Sequence, residues 1–486
     1  MHHTTNLSFR QVYLWISLTA IHFERYNTVI STSGVIAVLF SKQDLSRIIL
    51  PLLLQQALAV TVGMLDSVMV ASAGEAAVSG VSLVNTVNLL LVYVFSALAG
   101  GGAVIISQAL GSNTLPQAKA AAKQLIWVVF SIAFLLAVMA VILRNALLSL
   151  IFGSIPADIM QSAQVYFLFT AISYPFQGIY NACAAIFRAE GNSKISLQTS
   201  IAVNALNIAG NALLIYGLHW GAAGAAIATL ASHIAGAFIM LIRIRDQRHP
   251  LPVNHLLAFR PEWSTIKQIC RIGIPSGIEN GMFQFGKVIT QSLISTFGAV
   301  QIAANAAANS LTALQYIPGG AIGLSMIVIV GRCIGAGERE QARHYAKKLL
   351  AATYVFNILL SIPMCAFSRE LAGLYHLSEA SSALCVQLLL MHSVFACTIW
   401  PAAFTQANAF RAASDVRYPM VISIFSMWVF RVGLSFVLGQ TLHFGLMGVW
   451  VAMGCDWLFR AIIYTTHNIR GKWLTKYESG AHSNQE

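Results

Sequence analysis

From Arg47 onward the chain is a succession of long apolar runs separated by short polar loops. A bilayer crossing takes about 20 apolar residues, because the hydrocarbon core is about 30 Å thick and a helix rises about 1.5 Å per residue. Runs of that kind fall at 48–71, 79–108, 124–147, 160–183, 196–216, 221–242, 272–296, 303–331, 346–367, 384–409, 418–440 and 445–466. In lipid every backbone polar group must be satisfied within the protein, so such runs fold as helices. The pattern predicts an all-α polytopic membrane protein with 12 transmembrane helices. Composition agrees: 57% of residues are apolar and only 9% charged. That is too little polar surface to cover a soluble core. It excludes a soluble enzyme, a disordered chain and a nucleic-acid-binding domain, despite the net charge of +12.

The basic excess is first a topology signal. With both termini on one side, 25 of the 29 Lys and Arg fall on that side, including Lys42, Lys119, Lys123, Arg188, Arg332, Arg411, Arg460 and Arg470. Only Arg144 and Arg369 fall on the other side, and Lys287 and Arg431 lie within spans. Basic loops stay in the cytoplasm, so both termini are expected there. None of the seven Cys stands in a CxxC or Cys/His metal spacing, which fits small apolar packing residues. The Walker pattern GxxxxGK[ST] is absent, and no ATP-driven step is expected.

The two halves match at one offset. Pro51 and Pro275, Gly74 and Gly298, Asn85 and Asn309, Gly111 and Gly335, and Lys123 and Lys347 all differ by 224. The offset slips by one where Phe187-Arg188-Ala189 faces Phe410-Arg411-Ala412, and it is 224 again at Leu218-His219 and Leu442-His443. Six helices per half keep the repeats parallel, so a 6+6 arrangement around a central cavity follows, with a pseudo-two-fold axis along the membrane normal. The expected organisation is an extension over 1–46, a first six-helix lobe over 47–242, a linker over 243–270, a second lobe over 271–466 and a tail over 467–486.

These residues resemble the multidrug and toxic compound extrusion (MATE) transporters of the MOP flippase superfamily. The resemblance rests on Pro51 and Asp66 in the first span, Phe187-Arg188-Ala189-Glu190-Gly191-Asn192, Asn207 to Asn211 with Tyr216-Gly217, and Ile274-Pro275 through Glu279 to Gln284. It covers roughly 45–466. The other twelve-span class with parallel halves, the major facilitator superfamily, carries a Gly/Asp/Arg-rich motif after span two. The loop here, from Gly111 to Lys123, has no acid. The resemblance implies a secondary antiporter, not an enzyme, that exports amphipathic and mostly cationic compounds against inward Na⁺ or H⁺. It implies no cofactor beyond that ion, no nucleic acid, small amphipathic substrates and the bilayer as partners, and a monomer. A flippase-like exporter of lipid-linked or amphipathic metabolites is the alternative transporter. A non-transporting assembly subunit or receptor is the alternative outside transport.

Charges within spans cost about 2.5–3.5 kcal/mol each on insertion scales and therefore ask for a reason. Asp66 is the first candidate for cation or proton binding, since a carboxylate withdrawn from water favours either partner. It also stands where the family's first-helix Asp stands, and Thr290 takes its place in the second half. Asn204, Asn207 and Asn211 are spaced by three and four, so they share one face of the fifth span and can bond Asp66 or ligate Na⁺. Helix gluing is the plainer role for such amides. Glu279, Gln284, Met282 and Phe283 on the seventh span are candidates for the cavity and its substrate, as is Lys287, which could face Asp66 or Glu279. The family's Na⁺-binding branch would have its acids at Phe283 and Trp400, so that site is not reproduced. Arg431 and Asp456 fall at equal depth across a hairpin and are expected to form a structural ion pair. His233 and His392 are expected to be hydrogen-bonded core residues.

Overall fold

The structure is a computed structural model. It describes residues 39–475 apart from 154, 255 and 257–259, together with two short antiparallel strands, β1 Ile30–Ser31 and β2 Gly34–Val35. Most of the expected extension and tail therefore lies outside the described residues.

Twelve long helices follow, one for each apolar run. They are α1 Lys42–Ala71, α2 Glu75–Gly111, α3 Leu115–Phe152, α4 Ala157–Ala189, α5 Ser193–Gly217 and α6 Gly221–Ile244 in the first lobe. The second lobe has α7 Trp263–Ser295, α8 Ala299–Gly335, α9 Arg339–Ala366, α10 Glu379–Thr398, α11 Arg417–Thr441 and α12 Gly445–Arg470. A π-helical segment Pro401–Thr405 and a short helix Ala407–Ala412 continue α10. Ten of the twelve are long and apolar enough to cross a membrane; α4 and α7, 33 residues each, are long enough but more polar. Those two carry Tyr174, Gln177, Tyr180 and Asn181, and Glu279, Asn280, Gln284 and Lys287. Large apolar side chains such as Ile142, Leu150, Ile242 and Ile362 point outward, as a lipid-facing surface requires.

Helix α1 starts six residues before the expected span. Ser41 caps it, accepting from the Asp44 amide at 3.2 Å while Asp44 accepts from the Ser41 amide at 3.0 Å. This reciprocal box satisfies two amides that the first turn leaves free. The linker is also more ordered than a tether. Leu251, Val253 and Leu256 are buried, and α3 holds the segment through Trp127 Nε1 to the Leu256 carbonyl (2.8 Å) and Gln124 Nε2 to the Arg260 carbonyl (2.7 Å).

The backbone repeats as the sequence does. Left-handed φ values occur in matched pairs: Gly74 and Gly298, Asn113 and Gly337, His219 and His443, and Gly221 and Gly445, each 224 apart. Gly153 with His376 and Gly191 with Ser414 are 223 apart, which marks the slipped stretch. The π-helical segments Ala212–Gly217 and Phe436–Thr441 match at 224 again. Between these marks α5 is regular, whereas α11 contains a further π-helical segment, Met427–Gly433. A π turn is a one-residue insertion in an α-helix, so this segment restores the register.

The lobes meet along α2 against α7 and α8, with α1 against α8. At the basic end, which carries Lys119, Lys123, Arg339 and Lys347, the contact is related by the repeat itself. A Cβ on Gly111 would overlap the Arg332 carbonyl, and a Cβ on Gly335 would overlap the Gln108 carbonyl. Gln108 Nε2 donates to the Ala412 carbonyl at 2.8 Å, and Arg332 donates to the Ala189 carbonyl at 2.6 and 3.1 Å. Each bond caps the C-terminus of a helix in the opposite lobe, where carbonyls lack partners. We expect Gly335→Ala to pry this end open. Spin labels on cysteines at Asn113 and Glu340 should then show a new population at least about 5 Å further apart by double electron–electron resonance; an unchanged distribution would show that the contact is not closing the lobes.

Beside this contact, in the loop after α4, stands Glu190. It is 3.9 Å from His249 and near Arg332. Burial pushes its carboxyl up to about 7, against the opposing pull of the Leu251 amide and Arg332. The folded value lies above the ordinary 4.5, so the folded protein binds the extra proton between those two pH values. Its contribution to stability is present below pH 4.5 and is lost as pH rises through about 7. The melting temperature in detergent should therefore fall between pH 5 and 7.5 in the wild type, and Glu190→Gln should remove that part of the slope.

Candidate functional site

Asp66 lies near the end of α1 opposite the basic end, facing α5 of its own lobe. Asn211 Nδ2 donates to Asp66 Oδ1 at 3.0 Å. Asn207 also reaches the carboxylate. With its amide nitrogen turned toward Asp66 it donates at 2.9 and 3.3 Å to the two oxygens. In that orientation both Asn207 and Asn211 donate to the carboxylate. Asn211 Oδ1 is buried without a hydrogen-bond partner, so a third oxygen is free beside the carboxylate. Asn211 closes the α-helical part of α5, immediately before the π-helical turn, where the backbone winding changes.

These groups line a cavity of about 270 Å³, with Ser67, Asn85, Tyr166, Thr229 and Ser232. Among the described residues no Lys, Arg or His nitrogen lies within 4.0 Å of the carboxylate. Asn204 shares the predicted face but does not reach Asp66, because its amide bonds back to the Ser200 carbonyl at 2.8 Å. It stands instead, with Val203 and His233, in the wall shared with a second and larger cavity. His233 is held by Ser173 at 3.0 Å.

The larger cavity, about 670 Å³, lies between the lobes on the basic side of Asp66. Leu52, Val104, Ile272, Leu324 and Ile327 give it apolar walls, and Gln55, Gln56, Gln177, Asn181, Asn280 and Asn408 give it neutral polar ones. Arg188 and Arg411 also line it. Both were expected in the cytoplasmic fringe. The structure turns both, from the last turn of their helices, into the cavity between the lobes.

Glu279 is buried and fully engaged. Arg411 donates to it at 2.7 Å and Ser423 at 2.7 Å, and Arg411 is fixed in turn by Asn408 at 2.9 Å. It is thus paired with Arg411 rather than with Lys287 or an open cation site. Lys287 is eight residues further along α7, roughly 12 Å on, and on another face. It does not meet Asp66 either: α1 packs against α5 and α8, whereas α7 packs against α2 and α11. Gln284 and Phe283 line a smaller cavity of about 190 Å³ with Glu279 and Arg460; Met282 lines none of the three.

Arg431 and Asp456 stand 3.9 Å apart, at ion-pair but not hydrogen-bond distance. The closer partner of Asp456 is Arg460, one helical turn along, at 2.8 Å, and Ser426 donates to the same oxygen. Arg460 also lies 5.4 Å from the Phe283 ring centre and 5.3 Å from that of Phe404. Sequence reasoning missed Arg460, although an Asp followed four residues later by Arg on a helix is the signal for such a pair. His392 is a core residue bonded to Gln315 and, at 2.8 Å, to Tyr316. Asp456→Ala should strand two buried guanidiniums and cost about 3–5 kcal/mol. Arg460→Ala should lower the melting temperature more than Arg431→Ala; equal losses would make the 3.9 Å contact as important as the hydrogen bond.

The MatE family model matches the chain twice, over residues 51–213 and 275–437, at the same 224-residue offset. The chain is 27% identical over 434 residues to the uncharacterized transporter YisQ of Bacillus subtilis, covering 88% of this chain and 94% of that one. It is 25% identical to the probable multidrug resistance protein NorM of Thermotoga maritima, covering 89% and 93%. In three dimensions it is similar to an outward-facing multidrug resistance MATE family transporter of the MOP superfamily, with a TM-score of 0.84 at 19% identity over 90% of this chain and 97% of that one.

Proposed function

Since the chain belongs to the MatE family of multidrug efflux transporters, we propose that it is a secondary antiporter in which Asp66 exchanges a cation, Na⁺ or H⁺, for an amphipathic compound held in the cavity between the lobes. The observation that carries this reading is the Asp66 site: a carboxylate without a cationic partner among the described residues, held by the amides of Asn207 and Asn211, with the Asn211 oxygen buried beside it and not hydrogen-bonded.

In the empty state both amides donate to the carboxylate. A proton or Na⁺ arriving at Asp66 competes with these bonds, and the Asn211 oxygen is available as a further ligand for Na⁺. Because Val203, Asn204 and His233 belong to both cavities, a shift of α5 on loading reshapes the wall of the substrate cavity. Coupling requires only that cation and substrate favour different states of the two lobes. The lobes then rock about the crossing of α2 and α8.

The basic end faces the cytoplasm in this reading, since basic loops are retained there, and the protein is a monomer of a bacterial inner membrane. Substrate enters from that side once the Gln108 and Arg332 bonds part. Asp66→Asn keeps the size and the amide contacts and loses the charge. It should reduce ion-driven export in proteoliposomes by at least about 100-fold while leaving yield and melting temperature near wild type. Export that survives under both Na⁺ and H⁺ gradients would remove Asp66 from the coupling step. Asn211→Ala should leave turnover measurable and raise the cation concentration needed for half-maximal transport.

A further inference from the structure

We propose that the substrate cavity selects amphipathic compounds through an anionic group, a carboxylate or an equivalent oxyanion, held by Arg188. The inference rests on reading the 670 Å³ cavity as the substrate site. It departs from the cationic class that resemblance implies.

The residues lining this cavity include two arginines and no Asp or Glu. The two guanidiniums are repeat counterparts in unlike situations. Arg411 is neutralised by Glu279 at 2.7 Å and fixed by Asn408 at 2.9 Å. Arg188 is half-buried at the end of α4, with no carboxylate within ion-pair distance and no side-chain hydrogen bond among the described residues. At the 224-residue offset the partner of Glu279 is Gln55, so the first lobe carries a neutral amide where the second has its acid. The amide is not an idle substitute. Gln55 Nε2 is 3.4 Å from the Tyr180 hydroxyl, and Gln55 Oε1 is buried in the cavity wall with no donor.

Withdrawing a guanidinium from water without a partner is costly, and a bound anion removes that cost. The planar fork matches a carboxylate, sulfonate or phosphate oxygen pair in bidentate fashion. The volume is that of a site for a drug-sized molecule, and the apolar walls accept its body. A donor on the ligand, an N–H or O–H beside the anionic group, would satisfy Gln55 Oε1. A cation placed here would instead meet uncompensated positive charge.

The test uses three ligands with one aromatic body and three charges: 2-naphthoate, 2-naphthamide and 2-naphthylmethylammonium. Binding to the purified full-length protein in phosphatidylcholine nanodiscs is measured by titration without any ion gradient. The wild type should bind the naphthoate at least about tenfold more tightly than the ammonium. Arg188→Gln should remove that preference and leave 2-naphthamide binding unchanged, which also reports that the variant is folded. Gln55→Glu should neutralise Arg188 as Glu279 neutralises Arg411, and shift the preference toward the ammonium. Asp66→Asn should keep the naphthoate preference, so that failure of the coupling role and failure of this proposal are read separately. Adding phosphatidylglycerol separates the sources of the anion: competition that Arg188→Gln abolishes assigns the site to a lipid head group, and its absence assigns it to a soluble compound. Tighter binding of the ammonium by the wild type, or a naphthoate preference that survives Arg188→Gln, overturns the proposal.

Discussion

Two backbones cross at the pseudo-two-fold axis with no side chains between them. Gly111 meets the carbonyl of Arg332, and Gly335 meets that of Gln108. The way the two lobes meet at the basic end depends on this crossing. It brings α2 and α8 close enough for Gln108 and Arg332 to reach past it and cap α10 and α4 of the opposite lobes. Those bonds close the basic end, and the splayed remainder of the lobes leaves the cavity that Arg188 and Arg411 line. Both bonds are made to helix C-termini, whose carbonyls otherwise need water. Opening this end therefore exchanges protein donors for water at little net cost, which is what a reversible closure requires.

Symmetry in the backbone makes the asymmetry of the side chains informative. Asp66 faces Thr290 across the repeat, Gln55 faces Glu279, Asn207 faces Arg431 and Ser232 faces Asp456. In the second lobe the charges close on one another: Glu279 with Arg411, Asp456 with Arg460 and Arg431. Resident guanidiniums there occupy the level at which the first lobe has the Asp66 cluster. In the first lobe Asp66 and Arg188 are left open at different depths, on either side of a wall shared through Asn204 and His233. The second lobe pairs its buried charges internally, and the first leaves two of them open.

The twelve helices and the 6+6 repeat were legible because both are carried by composition and spacing. An apolar run must be helical in lipid, and an offset of 224 from Pro51 to Gly448, slipped by one over a single stretch, leaves no other register. The Asp66 cluster was legible in part: Asn207 and Asn211 reach the carboxylate, while Asn204, on the same face, bonds its own helix. The pairing of side chains was not legible. Helix α7 has polar residues on several faces and no clear apolar stripe, so its sequence says little about rotation, and Lys287, expected to face Asp66 or Glu279, meets neither. Arg188, Arg411 and Arg460 were counted with the basic fringe because a tally by loop position cannot see a side chain turned inward. The repeat held a usable signal, since an arginine kept in both halves beside an acid kept in only one implies that one of the two lacks its partner.

The sign of the substrate decides how the two open charges of the first lobe work together. If a cation moved inward at Asp66 for every cation exported, the exchange would carry no net charge and the membrane potential would contribute nothing. With an anion held at Arg188, and the exchange proposed for Asp66, each cycle would move positive charge inward and negative charge outward, so two charges would cross in the favourable sense. Each is worth about 2.3 kcal/mol per 100 mV. The potential alone would then favour export by about 4.6 kcal/mol per 100 mV, more than a thousandfold in concentration. The unpaired guanidinium in the cavity and the unpaired carboxylate near the opposite end are, on this view, one device: the first chooses a cargo whose charge lets the second draw on the full membrane potential.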